Sequence, residues 1–95
     1  MKQIKAKITS NKKCGPEFFK LSLSASSIAK DSLPGQFVEV LTCERTEPLL
    51  RRPLGVHRVN GSKIELLYQA VGKATEILSR RKAGEYLDII GPLGN

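Results

Sequence analysis

Arg51 and Arg52 stand side by side directly before Pro53, in a stretch that runs from Pro48 to Val59. Proline fixes its own φ and pushes the residue before it toward extended backbone. In extended backbone successive side chains leave on opposite faces, so Arg52 is expected on the face opposite Arg51 and Pro53. One guanidinium then meets solvent and the other meets whatever lies across the sheet. A guanidinium grips phosphate through two parallel charge-assisted hydrogen bonds. A basic loop running into a strand would carry the same residues, and this stretch alone does not separate the two readings.

A second stretch, Tyr68-Gln69-Ala70-Val71-Gly72-Lys73-Ala74-Thr75, reads as the end of a strand, a glycine and the start of a helix. The first N–H groups of a helix lack internal partners and lie at the positive end of its dipole, where an anion is welcome. Gly72 permits close backbone approach, and Thr75 either caps the helix or donates its hydroxyl to a phosphate oxygen. Asn60-Gly61 predicts a tight hairpin between the strand that follows the arginines and the strand that ends near Tyr68. In such an antiparallel pair the start of one strand lies beside the end of the other. Arg52 and the helix mouth are therefore expected at one edge, suited to a pyrophosphate. Leu54 to Val56, with Leu67 and Tyr68, would offer a flat apolar surface on which Tyr68 stacks against a ring.

The elements that must position these groups follow from hydrophobic period. Residues 2–9, 18–23, 36–41, 54–59, 64–71 and 86–90 read as strands, the first two as a hairpin. The fifth is apolar enough to be covered on both faces for part of its length. Residues 24–36 form a polar connection that closes on the Pro34-Gly35 turn, and residues 43–48 form another. Thr75 to Arg81 changes to a helical period and ends before Ala83-Gly84. Six short strands and one short helix predict an all-β, six-stranded antiparallel barrel.

The chain has 95 residues, enough for one domain with its own core. The formal net charge of +7 favours an anionic partner without naming it. Cys14 and Cys43 have no metal-like spacing and read as free thiols of a cytoplasmic protein. Nothing resembles a signal peptide, and no apolar run reaches membrane-spanning length. His57 reads as a surface strand residue, Arg80 to Lys82 as a solvated helix end, and Glu85 and Asp88 show no pairing that suggests acid–base work. No catalytic residue and no metal site is predicted.

Leu49-Leu50-Arg51-Arg52-Pro53-Leu54, Tyr68 to Thr75, and Gly84 to Asn95 together resemble the ferredoxin-reductase-type flavoproteins. Within them they resemble the electron-transfer subunits of NAD-dependent dihydroorotate dehydrogenases, with Pro34 to Val38 also matching. The resemblance covers the whole chain. It implies a Greek-key barrel that binds FAD through Arg52, Pro53, Leu54 and Gly55, through Leu67, Tyr68 and Gln69, and through Ala74 and Thr75, beside Gly72. It further implies NAD(P)H binding by a downstream domain, a [2Fe–2S] cluster beyond that, and a catalytic dehydrogenase subunit as partner in pyrimidine biosynthesis. The natural chain is accordingly expected to continue past Asn95, and residues 1–95 alone are not expected to turn over.

Three positions depart from the family pattern. Gly55 stands where Ser is usual, Gln69 where Arg is usual, and Ala74 where Gly is common. Each lost hydrogen bond to a charged group could cost about 1.5–3 kcal/mol, so weaker FAD binding than the family norm is expected. Lys73 could replace part of the missing charge. Two other readings keep the barrel: a small basic domain that binds nucleic acid, for which few aromatic residues are present, and a flavin-free docking domain.

Overall fold

The alternation of apolar and polar residues becomes six strands that close on themselves in the computed structural model, which describes residues 1–42 and 51–94. The expected connection at 43–48, Cys43, Pro48 to Leu50 and Asn95 lie outside the described residues. In chain order the elements are β1 (Lys2–Lys13), β2 (Phe18–Ser24), α1 (Ser26–Ala29), β3 (Phe37–Leu41), β4 (Arg51–Asn60), β5 (Lys63–Gln69), α2 (Lys73–Ser79) and β6 (Tyr86–Leu93). The strands form a closed barrel in the order β1-β2-β5-β4-β3-β6, every neighbouring pair antiparallel. The expected all-β Greek-key barrel is what the chain forms.

Its interior is filled by one residue in two from each strand: Ala6 and Ile8, Leu21 and Leu23, Val38 and Val40, Leu54 and Val56, Ile64 and Leu66, Leu87 and Ile89. Side chains of a strand alternate between faces, so their neighbours in sequence line the outside. The expected turns sit where glycine allows them. Gly35 has φ +97°, and Gly61 has φ +62° in the two-residue turn between Asn60 and Lys63. Gly91 serves a different end: a Cβ there would lie 2.6 Å from Val38 Cγ1, so β6 approaches β3 closely only without a side chain.

Four expectations are corrected. β1 does not stop at Thr9 but continues to Lys13. A bulge between Ile8 and Ser10 shifts the register against β2, so Ile8 faces in and, three residues on, Asn11 does too. The polar connection after β2 contains the one-turn helix α1, held by buried Ile28 and Ala29, so the barrel carries two short helices rather than one. β5 is not covered on both faces, since Leu67 on its outer side is 37% exposed. At the C-terminal end β6 does not stop at Ile90 but runs on to Leu93.

Candidate functional site

The register of β4 against β5 decides what the two chemical stretches can do together. Gly55 lies opposite Leu67 and Val56 opposite Leu66. Continued toward the start of β4, this register sets Arg52 level with Ala70, just ahead of Gly72 and α2. Arg52 and the first turn of α2 are therefore at the same end of the barrel. Arg52, Pro53, Gly55 and Gln69 are exposed, as is Gly72, and Thr75 is half-buried.

The two arginines are divided as alternation requires. Arg51 reaches across β3 on the outer face and donates from Nη2 to Asp88 Oδ1 at 2.8 Å. Gln3 Nε2 donates to the same carboxylate from the other side, at 3.1 Å. Partial burial pushes the Asp88 pKa up, but the hydrogen bonds from Arg51 and Gln3, with the charges of Arg51 and Lys5, outweigh it and leave the group below its usual range. Arg52 makes no ion pair among the described residues.

Leu54 and Tyr68 do not offer the expected surface. Both turn inward, at 6% and 4% exposure. The Tyr68 ring stacks on Phe19 with centroids 5.5 Å apart, and its hydroxyl donates to Asn11 Oδ1 at 2.9 Å. Alternation shows which residues share a face, and here the outward set is Pro53, Gly55, Leu67 and Gln69. A Cβ on Gly55 would meet nothing within 4 Å, so the floor is backbone, open from above. Ala74 is also buried, so its methyl points into the protein and does not crowd the outer side as expected.

At the start of α2 the Gly72 backbone is extended (φ −124°), a conformation open to any residue. Thr75 Oγ1 accepts from Gly72 N–H and donates to Gly72 C=O, both at 3.1 Å. The hydroxyl thus closes the first turn on itself. The other end of α2 is tied down by Asn11, whose Nδ2 donates to the carbonyls of Leu78 at 2.9 Å and Arg81 at 3.0 Å. One inward amide of β1 therefore holds the helix and the Tyr68 phenol together. Its sequence signal was slight: a polar residue among lysines, displaced onto the inner face by a bulge.

Burial pushes the Tyr68 phenol up to about 12, against the lowering effect of its hydrogen bond with Asn11. An unfolded tyrosine ionises near 10, so the unfolded chain loses this proton first. The stability tied to the neutral phenol is fully present below pH ~10 and is lost as pH rises toward 12. In a Tyr86→Phe protein, which keeps one phenol, the rise in phenolate absorbance is expected well above pH 10 and together with unfolding. A rise centred at pH 10 in folded protein would contradict the buried placement.

His57 is exposed, beside a bulge between Val56 and Arg58, with Nε2 3.8 Å from Glu65 Oε1. Glu85 is bonded by Arg81 Nε at 2.7 Å and by the Lys82 N–H, and both bonds hold its carboxyl below the usual range. Arg81 is thus not simply solvated, since it also donates to Tyr86 C=O. Cys14 is an exposed free thiol. Among the described residues no helix is long and apolar enough to cross a membrane.

No family model matches the chain. Among curated proteins it is 42% identical, over 91 residues, to the dihydroorotate dehydrogenase B (NAD(+)) electron transfer subunit of Desulforamulus reducens, covering 94% of this chain and 35% of that protein. The subunit of the same name from Geobacillus sp. is 37% identical over 97 residues, covering 100% of this chain and 38% of that protein. The chain spans a little over a third of the length of these relatives. Among solved structures, an NADH-dependent reduced ferredoxin-NADP oxidoreductase described for flavin-based electron bifurcation matches with TM-score 0.82 and 31% identity, over 95% of this chain and 33% of that one. A ferredoxin NADP+ reductase from Neisseria gonorrhoeae, solved with bound FAD and NADP, shares the fold with TM-score 0.75 at 16% identity, over 94% of this chain and 37% of that one. By sequence and by barrel alike, the chain belongs to the ferredoxin-reductase-type family, as a homologue of the electron transfer subunits of dihydroorotate dehydrogenase B over the third of their length that it spans.

Proposed function

We propose that the chain is the FAD-binding barrel of an electron-transfer subunit. In the whole protein it would carry electrons from NAD(P)H, through FAD and an iron–sulfur cluster, to a partner dehydrogenase acting on dihydroorotate. The nicotinamide domain and the cluster would belong to the part of the relatives' length that this chain does not span. The names of the relatives support the partner and the pathway, and a neighbour solved with FAD supports the cofactor.

The observation that carries the reading is the exposed, ion-pair-free Arg52 at the end of the barrel where β4 starts, three residues along the strand from the outward pair Gly55 and Leu67. These residues fit the cofactor. Arg52, held extended by Pro53, grips the pyrophosphate, and the outward amides at the start of α2 help. Gly55 and Leu67 form the floor under the ring, and the Gln69 amide donates where the family's arginine would. Leu54, Tyr68 and Ala74 support this surface from beneath. Bound there, flavin supplies the exchange between hydride transfer and single-electron transfer. The protein binds it, orients it and shields one face from water.

Titrating the purified chain with FAD and following flavin fluorescence tests the reading. Saturable binding is expected. Its absence at high micromolar FAD, with no effect of Arg52→Ala, overturns it, and a steeply salt-dependent affinity for RNA in its place would favour the nucleic-acid reading. Gly55→Ser meets open space and restores the family's hydroxyl. It is expected to tighten FAD about tenfold, the value of one added hydrogen bond, with little change in melting temperature.

A further inference from the structure

We propose that Lys20, backed by Lys12, is the cationic end of the ring-binding surface: it fixes which way the flavin ring lies and steadies the negative charge the ring carries when reduced. The inference rests on the flavin reading above. One residue from each strand lines up across the outside of the barrel in the order Leu93, Phe37, Gly55, Leu67, Lys20, Lys12, each directly opposite the next. All belong to the outer set, because the pairs alongside them, Val38 with Leu54 and Leu66 with Leu21, are buried. Neighbouring strands lie about 4.8 Å apart, so Phe37 and Lys20 stand about 14 Å apart with the open floor between them.

The row is apolar at one end, without a side chain at Gly55, apolar again at Leu67 and doubly positive at the other end. A flavin ring has the same polarity along its length. Its dimethylbenzene end is apolar, and its pyrimidine end carries two carbonyl oxygens. Uptake of two electrons and one proton leaves the ring with one negative charge, centred on the pyrimidine end. Only one direction matches both ends, with dimethylbenzene toward Phe37 and pyrimidine toward Lys20.

The lysine pair has no evident structural use. Like charges directly opposite one another on paired strands are destabilising. Lysines often guard the open edge of a sheet, but a closed barrel has no edge to guard. Neither Lys12 nor Lys20 makes an ion pair among the described residues. The carboxylate diagonal to Lys20 is Glu65, which lies beside His57 and opposite Arg58. An uncompensated cation pair at the end of this row points to an anionic guest.

The test uses the FAD-loaded chain with Lys20→Gln, Lys20→Arg and, as a charge control, Lys63→Gln. Lys63 lies four residues along β5 from Leu67, about 13 Å away. Affinities for oxidised and reduced FAD are measured by titration at low and high salt, and the reduction potential by dye equilibration. Lys20→Gln is expected to weaken reduced FAD about tenfold and oxidised FAD far less, so that the potential falls. Lys20→Arg is expected to restore both values, and Lys63→Gln to change neither. If wild type binds FAD but Lys20→Gln leaves the potential unmoved, or Lys63→Gln moves it equally, the inference is overturned and the flavin reading stands. If wild type does not bind FAD at all, the flavin reading fails and this inference with it.

Discussion

Arg52→Ala is expected to weaken FAD binding by about 10–100-fold and leave the melting temperature unchanged, whereas Arg51→Ala does the reverse. The two residues are adjacent and chemically identical, so the contrast isolates geometry. Arg52 is exposed and has no ion pair among the described residues, so folding gains little from it. Its loss removes charge-assisted bonds to phosphate worth about 1.5–3 kcal/mol. Arg51 is engaged with Asp88 at 2.8 Å, in a pair whose side chains are 26% and 17% exposed. Removing it leaves a partly buried carboxylate still bonded by Gln3 and facing the charge of Lys5, a loss of about 1 kcal/mol. That lowers the melting temperature by about 4–8 °C. The pH dependence follows the sign of the Asp88 shift. Its pKa is lowered in the fold, so the stability it contributes is present above the unfolded carboxyl value near 4 and is lost as pH falls through the folded value. Arg51→Ala should therefore flatten the acid side of the stability curve. Equal loss of FAD in both variants would show that the division of labour is wrong.

Alternation told which residues share a face, but not which face is inside. That one missing bit explains much of the difference between sequence and structure. The β4 pattern separates Arg52, Leu54 and Val56 from Arg51, Pro53 and Gly55, and so separates the two guanidiniums correctly. It cannot say that Leu54 and Tyr68 point into the barrel while Gly55 and Leu67 face outward. Deciding this takes a partner strand, and the partner of Arg51 is 37 residues away, beyond β3. Bulges hide more. At Ile8/Ser10 and at Val56/Arg58 the register slips, and each slip moves later side chains to the other face. Asn11 was invisible as an inward residue for this reason, and β1 appeared to end early. Helix α1 was unreadable because four residues with one large apolar side chain show no period. The β1–β2 and β4–β5 hairpins and the junction into α2 depend on turn chemistry and apolar period, and these were legible, whereas the Greek-key order came only with the family resemblance.

Asn11→Ala is expected to be the most damaging substitution of a polar residue in the barrel, at about 2–4 kcal/mol. The amide has three partners within 3.0 Å, drawn from β5 and from both sides of the α2 C-terminus. The Leu78 carbonyl keeps its bond from the Arg81 N–H at 3.0 Å and the carbonyl of half-buried Arg81 can turn to water, so their loss is modest. The Tyr68 hydroxyl cannot, because the residue is 4% exposed and its ring is fixed against Phe19. A buried hydroxyl left without an acceptor costs about 1–3 kcal/mol by itself. The melting temperature should fall by about 10 °C or more. A double-mutant cycle separates the contributions. Tyr68→Phe removes the hydroxyl that would be stranded, so Asn11→Ala made on top of it should cost about 1–2 kcal/mol less than Asn11→Ala alone. Denaturant unfolding of the four proteins at constant m supplies the numbers. If Asn11→Ala alone stays within ~0.5 kcal/mol of wild type, as exposed substitutions do, then the amide is not what joins β1, β5 and α2. If the two changes simply add, the helix carbonyls rather than the phenol are what Asn11 serves.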